Sequence, residues 1–318
     1  MFIFWLLAFV AGVALIVWGA EAFAVHLGAA SVRLGVSSFA LALLLAGAEP
    51  EELATAVVAS LRGSPGIALG DVIGANVTIC LVALGVGAWI APLPFRSSVM
   101  RYLLLGVPLG AIGTWFAWDG EVGRSEGAVL VALYVLYVGV IWWAERKPPA
   151  LGEVGELAEA REKAEADGKR RVGRDLAMVL VGVGAMACGA TLLVEAVQRL
   201  SGVESTQTRL GLTLVGFATG FELVVLAWSA ARRGISEAVL AGVVGSYAYN
   251  MTMTLGAGAL ARPLTLADAR ILHVPLVLML GSLIMVALLA ARHRQLGRSE
   301  GAILLAAYPI FVLTVLLA

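Results

Sequence analysis

Of 318 residues, 60% are hydrophobic and only 14% charged, proportions outside the range of soluble domains. Lysine plus arginine equals aspartate plus glutamate at 22 each, so no global field draws nucleic acid. The two cysteines, Cys80 and Cys188, fall in apolar segments, which suits small core residues rather than a disulfide scaffold or a metal cluster. The chain reads as an all-α polytopic membrane protein.

The first twenty residues, MFIFWLLAFVAGVALIVWGA, have no basic leader, and their apolar run is longer than a signal-peptide core; they are expected to form the first transmembrane helix. Taking about 20 apolar residues per span, ten candidates follow: 2–28, 36–61, 66–91, 101–118, 127–145, 175–199, 209–231, 236–260, 270–291 and 301–317. The fifth and sixth are separated by a charged segment in which Glu159 and Lys163 have helical i,i+4 spacing, as in a solvated linker. The expected organisation is a first half at 1–145, a linker at 146–174 and a second half at 175–318. Six arginines lie on the N-terminal side of the membrane and the other sixteen basic residues on the linker side. The positive-inside rule then makes the linker cytoplasmic and both termini external, in a prokaryotic-type plasma membrane. Trp115, Trp142 and Trp143 suit interfacial belts.

The chain repeats itself. GRSEGAVLVALY at 123–134 matches GRSEGAILLAAY at 297–308, GAWIAPL at 87–93 answers GALARPL at 258–264, and Glu52 answers Glu222 at a similar offset. Two halves of five spans each must lie in opposite orientations. The expected fold is therefore ten transmembrane helices as two inverted five-helix repeats, with substrate bound at the repeat interface on helices interrupted by Gly or Pro.

The duplicated acidic stretch falls there. LLAGAEPEELATAVVAS at 44–60 carries Glu49, Glu51 and Glu52 around Pro50, and LVGFATGFELVVL carries Thr219 and Glu222. A charge near a bilayer centre costs roughly 2.5–3.5 kcal/mol on insertion scales, so these acids are expected to face a protein interior or a water-filled path. Glycine and proline release backbone carbonyls, and two carboxylates with carbonyls and hydroxyls make an all-oxygen site suited to Ca²⁺. No His or Cys accompanies them, which argues against zinc or copper. The next span of each half adds Asp71, Asn76 and Thr78, and Ser246 and Asn250; Asn76 and Asn250 equally suit hydrogen bonding between helices. Glu126 and Glu300, at helix starts, read as architecture. His26 and His273 read as packing or interfacial groups.

These motifs resemble the cation/calcium exchanger superfamily, whose sodium/calcium exchangers carry two inverted alpha-repeats of the pattern G-T-S-x-P-E-L followed by G-N-x-x-G-S-N. Here they read GAEPEEL with GDVIGAN, and FATGFEL with GVVGSYAYN. The resemblance covers nearly the whole chain and implies a transporter, not an enzyme, in which Glu52 and Glu222 hold Ca²⁺ while the first and sixth helices slide to alternate access. Glu49, Thr219, Ser246 and Asn250 complete the expected ion site; Asn76, Asp71, Glu51 and Thr78 are candidate lining. No cofactor is expected, and the expected partners are inorganic cations and the bilayer, with the chain acting as a monomer.

The departures bear on the coupling ion. Ala48 and Glu49, and Ala218 and Thr219, stand where sodium/calcium exchangers place Thr and Ser. Glu49 beside Glu52 in a desolvated site suggests a carboxyl that takes a proton when Ca²⁺ leaves. The expectation is divalent cation/proton exchange favouring Ca²⁺. The alternatives are sodium as coupling ion, or exchange of another cation such as K⁺ or Mg²⁺.

Overall fold

The computed structural model describes residues 1–34, 49–95, 97–145, 172–233 and 237–317. The helices are α1 (Phe2–Leu34), α2 (Pro50–Leu61), α3 (Pro65–Ile90), α4 (Ser97–Ala117), α5 (Arg124–Glu145), α6 (Val172–Ser201), α7 (Glu204–Arg232), α8 (237–261), α9 (Arg270–His293) and α10 (Arg298–Leu317). Eight of the described helices are long and apolar enough to cross a membrane. The exceptions are α2, whose expected span starts outside the described residues, and α8, in which Ser246, Asn250, Thr252 and Thr254 dilute the apolar run.

Most of the predicted linker, with Glu159 and Lys163, lies outside the described residues. Its last turn is helical: α6 starts at Val172, and Asp175 is buried with its carboxylate 2.9 Å from His26 Nδ1. His26 is thus an interhelical partner between α1 and α6. Cys80 is buried as expected, whereas Cys188 is exposed on α6, because that position faces away from α1 and the bundle.

The apolar window of α3 is 100% buried, against 22% in α1 and in α10. A helix apolar all round belongs at the centre, and α3 takes that place. The exposed Trp115 and Trp143 suit the lipid-facing belt, and Trp118 stacks on His273 at 4.4 Å between ring centroids.

Contacts between the halves come in exchanged pairs. Four two-residue strands form two antiparallel ladders: β1 (Leu93–Pro94) with β4 (Gln295–Leu296), and β2 (Glu121–Val122) with β3 (Leu264–Thr265). β1 and β3 fall at matching repeat positions, as do β2 and β4, so each half lends one strand to each ladder. Glycines repeat the exchange. A Cβ on Gly12 would lie 2.8 Å from the carbonyl oxygen of Gly189, and one on Gly182 would lie 2.7 Å from that of Gly19. These two crossings bring α1 and α6 into backbone contact. Gly127 against Gly256 joins α5 to α8, and Gly301 against Gly85 joins α10 to α3, each at 2.8 Å from a would-be Cβ to the facing carbonyl oxygen. Small residues of this kind let membrane helices gain dispersion energy where no hydrophobic drive exists between them. Glu126 and Glu300 accept the amides of Gly123 at 2.7 Å and Gly297 at 2.9 Å, closing the first turns of α5 and α10 as expected of helix starts.

Candidate cation site

The site is built on helix breaks. Glu49 precedes α2 with non-helical backbone (φ −90°, ψ 81°), Pro50 opens the helix where its missing N–H costs nothing, and Glu51 and Glu52 follow in the first turn. α7 breaks at Gly220 and restarts at Phe221, with Glu222 second in the new segment. In each half the acid thus sits one turn after a break, where unpaired amides favour negative charge. Widened π-helical turns occur at Thr78–Ala83 in α3 and Asn250–Thr254 in α8, at matching repeat positions, and a third at Gly211–Val215 in α7. Such turns shift side chains out of helical register and recur at functional sites.

Glu49, Glu51 and Glu52 are all buried. Glu49 lies before the helix and Glu52 inside it, and both side chains are buried in the bundle. Glu49 Oε1 accepts the Ser246 hydroxyl of α8 at 2.5 Å, and the Glu51 side chain is buried next to it. Glu51 is 1% exposed, so its side chain points into the bundle rather than out of it. Around Glu52 stand the charges of Glu49, Asp71 and Glu222, with Asn250 as polar neighbour. Neither Glu52 oxygen receives a well-aligned hydrogen bond, because the Asn250 amide is directed at Asn76 Oδ1, 3.4 Å away.

Asp71 is completely buried in α3, and its Oδ1 accepts the Thr219 hydroxyl of α7 at 2.8 Å. Thr219, Ser246 and Thr78 also back-bond to carbonyls four residues earlier in their helices, which lets hydroxyls be buried without loss. Glu222 is only partly buried, so the two repeat-related acids differ in exposure although they match in sequence. All ten predicted residues thus gather where α2, α3, α7 and α8 meet. Thr78 is the most peripheral, bonded to Gly74 O at 2.9 Å and to Tyr308.

Sequence reasoning missed the aromatic wall. Tyr134 of α5 stacks edge-on against Tyr249 at 5.2 Å, and Tyr249 adjoins all three acids of the α2 start. Tyr308 touches Thr78 in the mirrored position. Tyr134 and Tyr308 close the duplicated GRSEG segments, a signal that was present but pointed only to helix starts. Thr254, bonded to Asn250 Oδ1 at 3.2 Å, was also missed.

Among the described residues, no three His, Cys, Asp or Glu side chains converge on one point. Nor does any described basic residue pair with Glu49, Glu52 or Asp71. A cation bound by Glu52 and Glu222 would therefore complete its shell from hydroxyl, amide and carbonyl oxygens, as hard cations accept.

An acid-filled interior wrapped in long apolar helices defines an integral membrane protein with a polar centre. The family model for the sodium/calcium exchanger protein matches residues 4–143 and 175–317, and the chain belongs to that family. It is 25% identical over 339 residues to the sodium/calcium exchanger MaX1 of Methanosarcina acetivorans, covering 95% of each chain. It is also 25% identical over 312 residues to the membrane protein MJ0091 of Methanocaldococcus jannaschii, covering 96% of this chain and 95% of that one. Its fold is similar to a solved structure of the sodium-calcium exchanger NCX_Mj, with a TM-score of 0.62 at 23% identity over 98% of each chain. The family resemblance read from the alpha-repeat motifs is borne out.

Proposed function

We propose that the chain is a secondary antiporter that moves Ca²⁺, or a similar divalent cation, in exchange for sodium. Ten spans in two inverted five-helix halves would alternate access to one central site. The observation that carries this reading is Glu52, a carboxylate with both oxygens buried and undonated beside Glu222, each one turn after a helix break. An acceptor-only group in that state is stabilised by a cation. Glu52 and Glu222 are the paired ligands; Glu49, Thr219, Ser246 and Asn250 supply further oxygens. Asn76, Glu51 and Thr78 line the site.

Sodium is the better supported counter-ion, because the family and the relative MaX1 carry it in their names. It replaces the proton expected from the sequence. Proton coupling is kept as the second reading because Glu49, Glu51 and Glu52 are buried side by side, with no described basic partner for Glu49 or Glu52, so that a proton can offset charge there. The distribution of arginines supports external termini and a cytoplasmic linker. Backbone contact between α1 and α6 supports their sliding as one unit past the other helices.

The test is Ca²⁺ uptake into proteoliposomes holding the purified full-length protein, under an imposed sodium gradient or an imposed pH gradient. The sodium reading expects uptake with the first alone. Uptake with the second alone establishes the proton reading instead. Ca²⁺ current that needs no counter-ion would overturn both in favour of a channel.

A further inference from the structure

Away from the central acids, Arg62 and Glu195 meet at 2.8 Å and pair. Four other charged side chains share a cavity without pairing. Where α7 and α9 begin and α10 ends, a cavity of about 490 Å³ is lined by Glu204, Asp268, Arg209 and Arg270. Two charges of each sign border one space, and no two of them lie within ion-pair distance. Arg209 is also short of acceptors. Its Nη1 reaches the Leu316 carbonyl oxygen only at 3.5 Å, and its Nε is buried with no hydrogen-bond partner. A guanidinium carries five N–H donors, and leaving a buried one unmade is costly. The rest of the cavity includes Val274 and Pro275 of α9 and Val315 of α10. The apolar windows of these two helices are only 39% and 22% buried, so the apolar wall opens towards the bilayer.

We infer that this cavity binds the headgroup of a zwitterionic phospholipid with a primary amine, its phosphate held by Arg209 and Arg270 and its ammonium by Glu204 and Asp268. The charges are ordered in depth to match. Glu204 is the first residue of α7 and Asp268 precedes α9, so both carboxylates stand at the outer end, whereas Arg209 lies further along α7, about 7.5 Å deeper at 1.5 Å per residue. A phospholipid carries its ammonium on the water side of its phosphate, and its acyl chains run on towards the membrane centre. Val274 and Pro275, about one turn into α9, lie in the path of those chains. Guanidinium groups suit phosphate oxygens, and a primary ammonium has three N–H donors for the carboxylates. Asp268 Oδ1 accepts the Arg270 amide at 3.0 Å, which fixes that carboxylate at the mouth. The four side chains sum to zero charge, which disfavours a purely anionic headgroup. A small soluble zwitterion would leave the apolar wall uncovered. The inference does not depend on which ions the protein exchanges.

The test uses delipidated full-length protein in detergent. Phosphatidylethanolamine, phosphatidylcholine and phosphatidylglycerol with the same acyl chains, and soluble glycerophosphoethanolamine, are added separately; native mass spectrometry reads binding and thermal unfolding reads stabilisation. Wild type should bind phosphatidylethanolamine about tenfold more tightly than the other two lipids, since phosphatidylcholine has no N–H to donate and phosphatidylglycerol no positive charge. Arg209→Gln should weaken that binding about tenfold, as expected for loss of a charge-assisted bond to phosphate. Glu204→Gln combined with Asp268→Asn should keep lipid binding but erase the preference over phosphatidylglycerol. Val274→Trp puts a ring on a wall position that is 44% exposed and leaves the charges untouched. It should block the lipid, and it decides the matter if Arg209→Gln does not fold. Equal binding of the three lipids by wild type would overturn the inference, as would phosphatidylethanolamine binding unchanged in Arg209→Gln and Val274→Trp. Glycerophosphoethanolamine binding as tightly as the lipid would also overturn it, in favour of a soluble zwitterion.

Discussion

Replacing Glu52 by Gln should make the cation-free protein more stable while removing its response to Ca²⁺. The side chain keeps its shape, loses its charge and gains two N–H donors. In the native chain, Glu52 is fully buried, its oxygens receive no hydrogen bond, and the charges of Glu49, Asp71 and Glu222 face it. Two like unit charges 4 Å apart repel by about 4 kcal/mol at an effective dielectric of 20, and by less at larger separations. Relief of that repulsion, with new donors for the neighbouring carboxylates, should stabilise the chelator-treated protein by about 1–3 kcal/mol. In wild type, Ca²⁺ at a hundred times its Kd adds about 2.7 kcal/mol by mass action, and Glu52→Gln should forfeit that gain. Thermal unfolding of the detergent-purified proteins, in chelator and in Ca²⁺, reads both effects. A Glu52→Gln variant that melts below wild type in chelator and still shifts upward with Ca²⁺ would refute the reasoning.

Other variants separate architecture from chemistry. Gly12→Val drives a side chain into the Gly189 carbonyl, so unfolding measurements should show a loss of about 1–3 kcal/mol, and transport should fall because α1 and α6 no longer meet. Glu126→Ala deprives the Gly123 amide of its partner and should cost about 0.5–2 kcal/mol in the same assay, with Ca²⁺ affinity unaltered. Ser246→Ala removes a donor to the buried Glu49 carboxylate; the cation-free state should lose about 1.5–3 kcal/mol, a deficit that bound Ca²⁺ reduces.

Much of the fold was legible because it is duplicated. Matching segments at nearly constant spacing implied paired elements, and the exchanged ladders and glycine crossings are what such pairing produces at contact. The acids were legible from cost: an apolar segment does not carry Glu52 without use for it. What could not be read was direction. Glu51 lies about a hundred degrees round the helix from Glu52, and only the position of α2 in the bundle turns both inward. Asp71 appeared as one polar residue among several, and its importance depends on α7 bringing Thr219 within 2.8 Å. The two-residue strands are too short to leave an alternating pattern, and the glycines that join α1 to α6 look like any others in an apolar span. Cys188 shows the converse: an apolar neighbourhood in a membrane chain is as compatible with facing lipid as with facing the core.

The central claim is that a divalent cation sits between the two broken helices, and anomalous diffraction from crystals soaked in Sr²⁺ tests it most directly. The expected result is a peak bonded to carboxylate oxygens of both Glu52 and Glu222, lost in Glu222→Gln. A peak held instead at the surface cavity lined by Glu204 and Asp268, with density between Glu52 and Glu222 unchanged, would contradict it.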